Sequence, residues 1–321
     1  MNAGPACPLC GAESPKTFVR DWREYKLYDC PDCGGGFCEP FKNPGPEYYE
    51  HNKAVYSLAV IETTDDASFE YDEALSALAR SAPPRARLLD VGCGAGGFLH
   101  RARAAGFSVA GLDFNSDRVA ALRDRGFDVF AGGLPEYALA APPASFDAIT
   151  MFELIEHLDA PARWLDAAKT LLKPGGLLIV GTPNRDRAFE PYAGPGLEEI
   201  DNPPHHLTRW NAAALSGLLT RRGFVMEECR DLGYPPAVVQ LLLRNSMRMG
   251  LAVRSLEPAA SSAASAPADP KPFAPLVKSL VALKIAALNA AASAAYPFFR
   301  ATAAARGWGG LTLFAVARKP S

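Results

Sequence analysis

The segment LLDVGCGAGGFL (88–99) constrains this chain more than any other. An apolar run ends in Asp90, passes through Gly92, Gly94, Gly96 and Gly97, and leads into a helical pattern. Glycines there let the backbone turn with positive φ and approach a bulky ligand closely. The helix that follows presents free amides and the positive end of its dipole. Such a strand–turn–helix belongs at the carboxyl edge of a parallel sheet, where open α/β folds bind ligands.

The flanking pattern supports a sheet of this kind. Strands are predicted at 88–91, 108–112, 127–130, 146–152, 177–182 and 224–229, with a last one in GLTLFAVARKP (309–320). Helices are predicted at 68–82, 98–105, 116–125, 160–172 and 212–222, and the cluster Lys173-Pro174-Gly175-Gly176 breaks the chain after the fourth of these. Alternating strands and helices mean a parallel sheet covered on both faces. The expected organisation is a metal-stapled module at 1–45, a helical linker or lid at 46–85 and a core at 86–232. A helical insertion at 233–308 and the final strand at 309–321 complete it. Within the insertion, 257–275 is rich in Ala, Ser and Pro, and 275–295 reads as an Ala/Leu helix.

Two ligands compete for the glycine turn. Gly92-x-Gly94-x-x-Gly97 fits a dinucleotide fingerprint, with Asp113 near the ~20-residue offset of a ribose-binding acid. Alternatively, the turn holds S-adenosylmethionine, with Asp90 serving the amino group and Asp113 both ribose hydroxyls. A carboxylate at Asp90 would repel a pyrophosphate, which favours the methyl donor.

LLDVGCGAGGFL, GLDFN (111–115), FDAITMFELIEHLDAPARWL (146–165) and LLKPGGLLIVGTPN (171–184) together resemble class I S-adenosylmethionine-dependent methyltransferases of the ubiquinone-biosynthesis-like type 11/23 group. The resemblance covers roughly 87–231 plus the last strand. It implies a Rossmann-like α/β sheet of seven strands, the last inserted antiparallel. It implies cofactor contacts from Asp90, Gly92, Gly94, Gly96, Asp113 and Phe114, the last near the adenine, and a donor-covering loop after Phe152. An acid that the family often places after the third strand is missing. AGGLPEY (131–137) stands there, so adenine recognition falls to main chain at Gly133 and Leu134. Glu153, Glu156 and His157 lie in the donor-side loop, where such residues equally serve to brace structure.

Cys7-x2-Cys10 and Cys30-x2-Cys33 have the spacing of a zinc site. Two C-x-x-C turns close a tetrahedron with no open position, which makes the ion structural. Cys38 is read as a spectator, and Cys93 lies in the glycine turn, where a small apolar residue suffices. Zinc ribbons often bind nucleic acid, but residues 1–45 carry Lys16, Arg20, Arg23, Lys26 and Lys42 against Glu13, Asp21, Glu24, Asp29, Asp32 and Glu39. With a formal net charge of −2 for the whole chain, phosphate-driven binding is disfavoured.

DNPPHHLTRW (201–210) follows the fifth strand, on the side where the transferring methyl is expected. His205 and His206 are the candidate bases for an oxygen or carbon acceptor, because an ordinary imidazole accepts a proton near neutral pH. The segment resembles a loop of zinc-containing sugar methyltransferases that carries an assisting histidine, and His206 fits that likeness slightly better. One of the pair could instead simply hold the loop. The expected activity is methylation of a small-molecule or sugar-containing acceptor. The rival readings are an RNA or protein methyltransferase guided by the ribbon, a non-catalytic donor-binding module and a nicotinamide enzyme. The start MNAGPACPLCG shows no export signal, and reduced cysteines fit a cytoplasmic location. The uncharged run 285–299 is 15 residues, short of the ~18 a spanning helix needs. Surface contact with a membrane through 273–306 stays open.

Overall fold

The computed structural model describes residues 5–45, 69–187, 201–233 and 309–321, together with Tyr48 and scattered positions between 287 and 307. Most of the segments 46–85 and 233–308, including the expected linker at 257–275, lie outside the described residues. Those described between 287 and 305 are helical, within and just beyond the predicted 275–295 helix.

Eleven strands are described. β1 (Thr17–Trp22), β2 (Tyr25–Asp29) and β3 (Gly36–Glu39) precede the core. β4 (Arg87–Val91), β5 (Ser108–Asp113), β6 (Asp128–Ala131), β7 (Phe146–Phe152) and β8 (Leu172–Pro183) follow, then β9 (Thr208–Arg209), β10 (Val225–Leu232) and β11 (Thr312–Arg318). The helices are α1 (Phe69–Ser81), α2 (Gly97–Ala104), α3 (Ser116–Asp124), α4 (Leu134–Ala140), α5 (Pro161–Leu171) and α6 (Ala212–Arg221).

The large sheet has seven strands in the order β10-β11-β8-β7-β4-β5-β6. β4 pairs in parallel with β5 and β7, and β7 with β8. β11 slots between β8 and β10, antiparallel to both. This is the expected seven-stranded sheet with its last strand inserted antiparallel. Side chains alternate between its two faces, as the period of a strand requires. Leu89, Val91, Leu178, Val180, Leu313 and Ala315 pack on one face with α5 and α6. Leu88, Leu177, Ile179, Phe314 and Val316 pack on the other with α1 and α2. Burial on both faces is why the central strands read as nearly continuous apolar runs.

The breaker cluster Lys173–Gly176 proves to be a bulge inside β8. Pairing with β7 jumps from Phe146↔Leu172 to Ala148↔Leu177, and Gly175 takes φ of 75°. α4 was not expected from the sequence; it is seven residues long and begins Leu134-Pro135, with proline in the first turn, where its missing N–H costs nothing.

The N-terminal module forms a second sheet, β1-β2-β3-β9, whose fourth strand comes from the far-off segment 208–209. Cys7, Leu9, Cys30 and Phe37 share one buried cluster with Trp210, Leu215 and Leu218. Arg185 donates to Gly34 O (2.8 Å) and Asp29 Oδ2 (2.8 Å), Asn211 to Gly34 O (3.1 Å), and Arg221 to Leu9 O (3.0 Å). The module is thus packed into the core by shared apolar side chains and by bonds that satisfy its turn carbonyls. No helix of the described residues is long and apolar enough to cross a membrane.

Candidate active site

The sheet's strand order turns at β4, which has β5 on one side and β7 on the other. The crevice beyond the carboxyl ends of such neighbours is where open α/β folds bind ligands. The glycine turn lies there. Gly92, Gly94 and Gly96 all take positive φ (78°, 54° and 88°). A Cβ on Gly96 would stand 2.5 Å from Leu122 Cδ2. Gly96 caps α2 with no side-chain bond, leaving the helix amides at the crevice. Cys93 is buried against Leu99, Leu122 and Val129, the small apolar filler expected of it. Burial, reinforced by Asp90 and Asp113, pushes its thiol pKa up.

Asp90 is buried and accepts a hydrogen bond from Thr150 Oγ1 on β7 at 2.7 Å. Asp113, at the end of β5, accepts from Gly94 N at 2.9 Å through Oδ2 and from Asn115 N at 2.8 Å through Oδ1. One carboxylate therefore ties the glycine turn to the next strand, and each oxygen keeps a further lone pair to offer. Beside it Phe114 is 55% exposed. Its centroid is 6.0 Å from that of Trp164, and Gly133 leaves open the space between them, since a Cβ there would meet both rings. Leu134, which follows Gly133, is fully buried. Phe152 is 9% exposed and packs against Tyr71 and Phe98 at 5.2 and 5.1 Å between centroids. Its side chain belongs to the core, beneath the loop that follows.

That loop begins at Glu153, with φ of 49°, and bends over the turn: Leu154 is the first side chain that a Cβ on Gly92 would meet, at 3.4 Å. It continues into a short 3-10 turn, Ile155–His157. Glu70 of α1 stands against Gly181 and is 4% exposed. Burial, then the neighbouring Glu153, raises its pKa well above the usual carboxylate range.

Two loops, 153–158 and 201–207, meet at a cluster of imidazoles. His205 and His206 are 7% and 8% exposed, and His157 from the other loop joins them, with ring centroids 4.5–4.8 Å apart. His157 Nδ1 lies 2.7 Å from the carbonyl oxygen of His205. His206 Nδ1 lies 3.3 Å from Asp201 Oδ1. Burial lowers the pKa of all three imidazoles. His157 falls to about 4 despite the opposing carbonyls of His205 and Glu153. The neighbouring rings lower His205 and His206 further. Glu156 is 1% exposed; its Oε2 accepts from Thr182 Oγ1 at 2.9 Å, and Leu207 N donates to its carbonyl at 2.8 Å. The sequence pattern singled out the 205–206 pair but gave His157 and Glu156 no partner, because the two loops are some fifty residues apart along the chain.

The N-terminal module grips both loops. Trp22 Nε1 donates to Pro203 O (3.0 Å), Arg20 to Asn202 Oδ1 (3.2 Å), and Cys38 N to Leu207 O (3.1 Å). Asn43 Nδ2 donates to His157 O at 2.7 Å. The module's own turns repeat one pattern: Gly11 N to Cys7 O and Gly34 N to Cys30 O, both 2.8 Å, with both glycines at positive φ. Cys7 Sγ is 3.8 Å from Cys33 Sγ, and Cys10 Sγ is 3.7 Å from Cys30 Sγ. A disulfide needs about 2.05 Å, whereas a tetrahedral ion with ~2.3 Å bonds to sulfur sets its ligands about 3.8 Å apart. The four cysteines fit zinc. Cys38 is buried in a separate cluster with Tyr25, Leu27 and Leu207, and burial pushes its thiol up to about 12, which keeps it protonated.

The chain is similar to known proteins. A "Probable S-adenosylmethionine-dependent methyltransferase" of Mycolicibacterium smegmatis is 33% identical over 160 residues, 49% of this chain and 59% of that protein. Ubiquinone biosynthesis O-methyltransferases are similar too. That of Xylella fastidiosa is 35% identical over 164 residues (47% of this chain, 65% of that protein). That of Paraburkholderia phymatum is 33% identical over 161 residues (47% and 69%). The crystal structure of a SAM-dependent methyltransferase from Archaeoglobus fulgidus overlays with a TM-score of 0.49 at 17% identity, over 82% of this chain and 100% of that one. The chain thus spans less than two thirds of the length of the first two relatives. A family model described as "Methyltransferase domain" matches residues 66–228, just over half of the sequence, and the chain belongs to that family, the S-adenosylmethionine-dependent methyltransferases.

Proposed function

We propose that this chain transfers the methyl group of S-adenosylmethionine to oxygen or carbon of a small-molecule or sugar-containing acceptor, in the cytoplasm. The observation that carries this reading is the Asp113 carboxylate, locked by the Gly94 and Asn115 amides with lone pairs to spare, beside the exposed ring of Phe114. In this reading Asp113 accepts the ribose hydroxyls and Phe114 stacks on the adenine, whose edge meets main chain at Leu134. Gly92, Gly94 and Gly96 let the donor pass close to the backbone. Asp90, held by Thr150, attracts the donor's ammonium group. Phe152 acts through shape, as the packed base of the covering loop. The ion of Cys7, Cys10, Cys30 and Cys33 is structural zinc, and its work is to hold the loops of His157 and His205–His206 in place.

The transfer is a displacement at carbon. The acceptor atom forms its bond to the methyl as the carbon–sulfur bond breaks, and S-adenosylhomocysteine leaves with the electron pair. The sulfonium is a good leaving group, so the protein's contribution is alignment, exclusion of water and removal of one acceptor proton. His205 or His206 takes that proton in this reading. Burial keeps both imidazoles unprotonated and so able to accept it, though their lowered pKa reduces the driving force. The names of the Xylella and Paraburkholderia relatives support oxygen as the acceptor atom.

The test is transfer of labelled methyl from S-adenosylmethionine into a lysate of the source organism, followed by identification of the labelled product. A low-molecular-weight product is expected. On that acceptor, His205→Ala or His206→Ala should slow turnover by ~10²–10⁴-fold with donor affinity little changed. Label found in RNA or protein, or full activity in the double variant, would contradict the reading.

A further inference from the structure

We propose that His157, His205, His206 and Glu156 bind a divalent first-row transition-metal ion, at a second metal site distinct from the four cysteines. One ring nitrogen of each histidine lies within 4.8 Å of the others. The carboxylate adds the independent sign. Glu156 is 1% exposed, and its Oε1 has no hydrogen-bond partner. That orphaned oxygen points into the cluster, 3.9 Å from His157 Nε2 and 4.0 Å from His206 Nε2. These distances are too long for hydrogen bonds. They are close to those a shared ion imposes. Bonds of ~2.0–2.1 Å in tetrahedral array set ligand atoms roughly 3.4 Å apart, so each group needs to move by less than about 1 Å.

The surroundings are those of ligands. A metal-bound imidazole usually donates its second nitrogen to a carbonyl or carboxylate. His157 Nδ1 meets the carbonyl of His205, an acceptor of this kind. His206 Nδ1 meets Asp201, which leaves Nε2 toward Glu156. Glu156 Oε2 is steadied by Thr182. A buried carboxylate oxygen without a partner is costly, and a cation seated here removes that cost. Three imidazoles with one carboxylate suit zinc, iron, cobalt or nickel better than magnesium or calcium, which prefer all-oxygen shells.

The inference stands on this geometry and does not depend on methyl transfer. It does change the histidines' role. Once an ion is bound, their lone pairs are committed to it, and the proton-accepting role proposed above for His205 or His206 belongs to the metal-free protein. An acceptor hydroxyl that reaches the ion then loses its proton more easily because of the ion's charge.

Full-length protein carrying one zinc per chain, on the cysteines, is titrated with cobalt(II) and followed by absorbance. One further equivalent should bind and give visible cobalt d–d bands without the near-ultraviolet bands of cobalt–thiolate bonds. His206→Ala should abolish those bands. Glu156→Gln, which keeps shape and the Thr182 contact, should weaken binding at least about tenfold, the lower bound for losing even an outer-shell partner. Circular dichroism and calorimetric binding of S-adenosylhomocysteine check that each variant is folded. A wild-type protein showing no histidine-type cobalt bands overturns the site, whatever the variants do. So does a folded Glu156→Gln protein that binds cobalt as tightly as wild type. Thiolate bands alone would mean that cobalt had entered the cysteine site, and would equally count against it.

Discussion

If Cys7, Cys10, Cys30 and Cys33 hold zinc as proposed, losing the ion should loosen the histidine loop while leaving the parallel sheet folded. The perturbation is Cys30→Ser. Structural zinc contributes roughly 10–16 kcal/mol of binding free energy in small zinc modules, more than most domains' total stability of about 5–15. Strands β1–β3 have little apolar core of their own, so losing the ion frees them. Four bonds to this loop are among those that go: Arg20 to Asn202, Trp22 to Pro203, Cys38 to Leu207 and Asn211 to Gly34. At a net 0.5–1.5 kcal/mol each, their sum is about 2–6 kcal/mol. Amide protection across 201–211 should therefore fall by roughly 10–10⁴, limited by global stability. Leu207 N, bonded to Glu156 O, should be the most resistant amide of that stretch. Hydrogen exchange read by mass spectrometry on wild type and variant is the assay. The sheet peptides over 87–91 and 146–152 should keep their protection. If 5–45 opens while 201–211 stays protected, the module does not hold the loop. If the parallel sheet opens as well, the module is part of the core's own stability and no separable clamp.

Asp113→Ala should weaken S-adenosylmethionine binding by roughly 10²-fold or more, from two charge-assisted bonds at ~1.5 kcal/mol or above; unchanged affinity by calorimetry would refute its assignment. Gly96→Ala meets both a φ of 88° and a contact 2.5 Å from Leu122 Cδ2, so a loss of about 1–3 kcal/mol in denaturant unfolding is expected. A variant as stable as wild type would show that the turn relaxes freely. Glu70 has its pKa raised by burial and by Glu153. Its stabilising contribution is complete below the unfolded pKa and is lost as pH rises through the folded one. Glu70→Gln should therefore melt higher than wild type near pH 8, with the difference shrinking toward pH 4. The opposite trend would mean that Glu70 is charged and paired in the folded protein.

The sheet was legible because each central strand is buried on both faces and reads as an unbroken apolar run between breakers. LLDV, FDAITMF and LLIVGT are of this kind, and the insertion of β11 beside β8 follows the family resemblance. Local signals also located the glycine turn, Asp90 and Asp113, since a strand, a turn and a helix lie within a dozen residues. Pairings between distant segments were not legible. Nothing in HLTRW marks Thr208–Arg209 as the fourth strand of the N-terminal sheet, because two residues carry no periodicity and the partner, Gly36–Phe37, is far away. The meeting of His157 with His205–His206 has the same cause, and the orphaned Glu156 Oε1 is a fact of three-dimensional packing alone. α4 escaped because seven residues starting Leu-Pro fall below the length at which helical periodicity shows.

Calorimetric titration of the purified chain with S-adenosylmethionine and, side by side, with NAD tests the central claim most directly. One S-adenosylmethionine site of micromolar affinity is expected, abolished or strongly weakened in Asp113→Ala, with no heat from NAD. Binding of NAD with no response to S-adenosylmethionine would contradict the account.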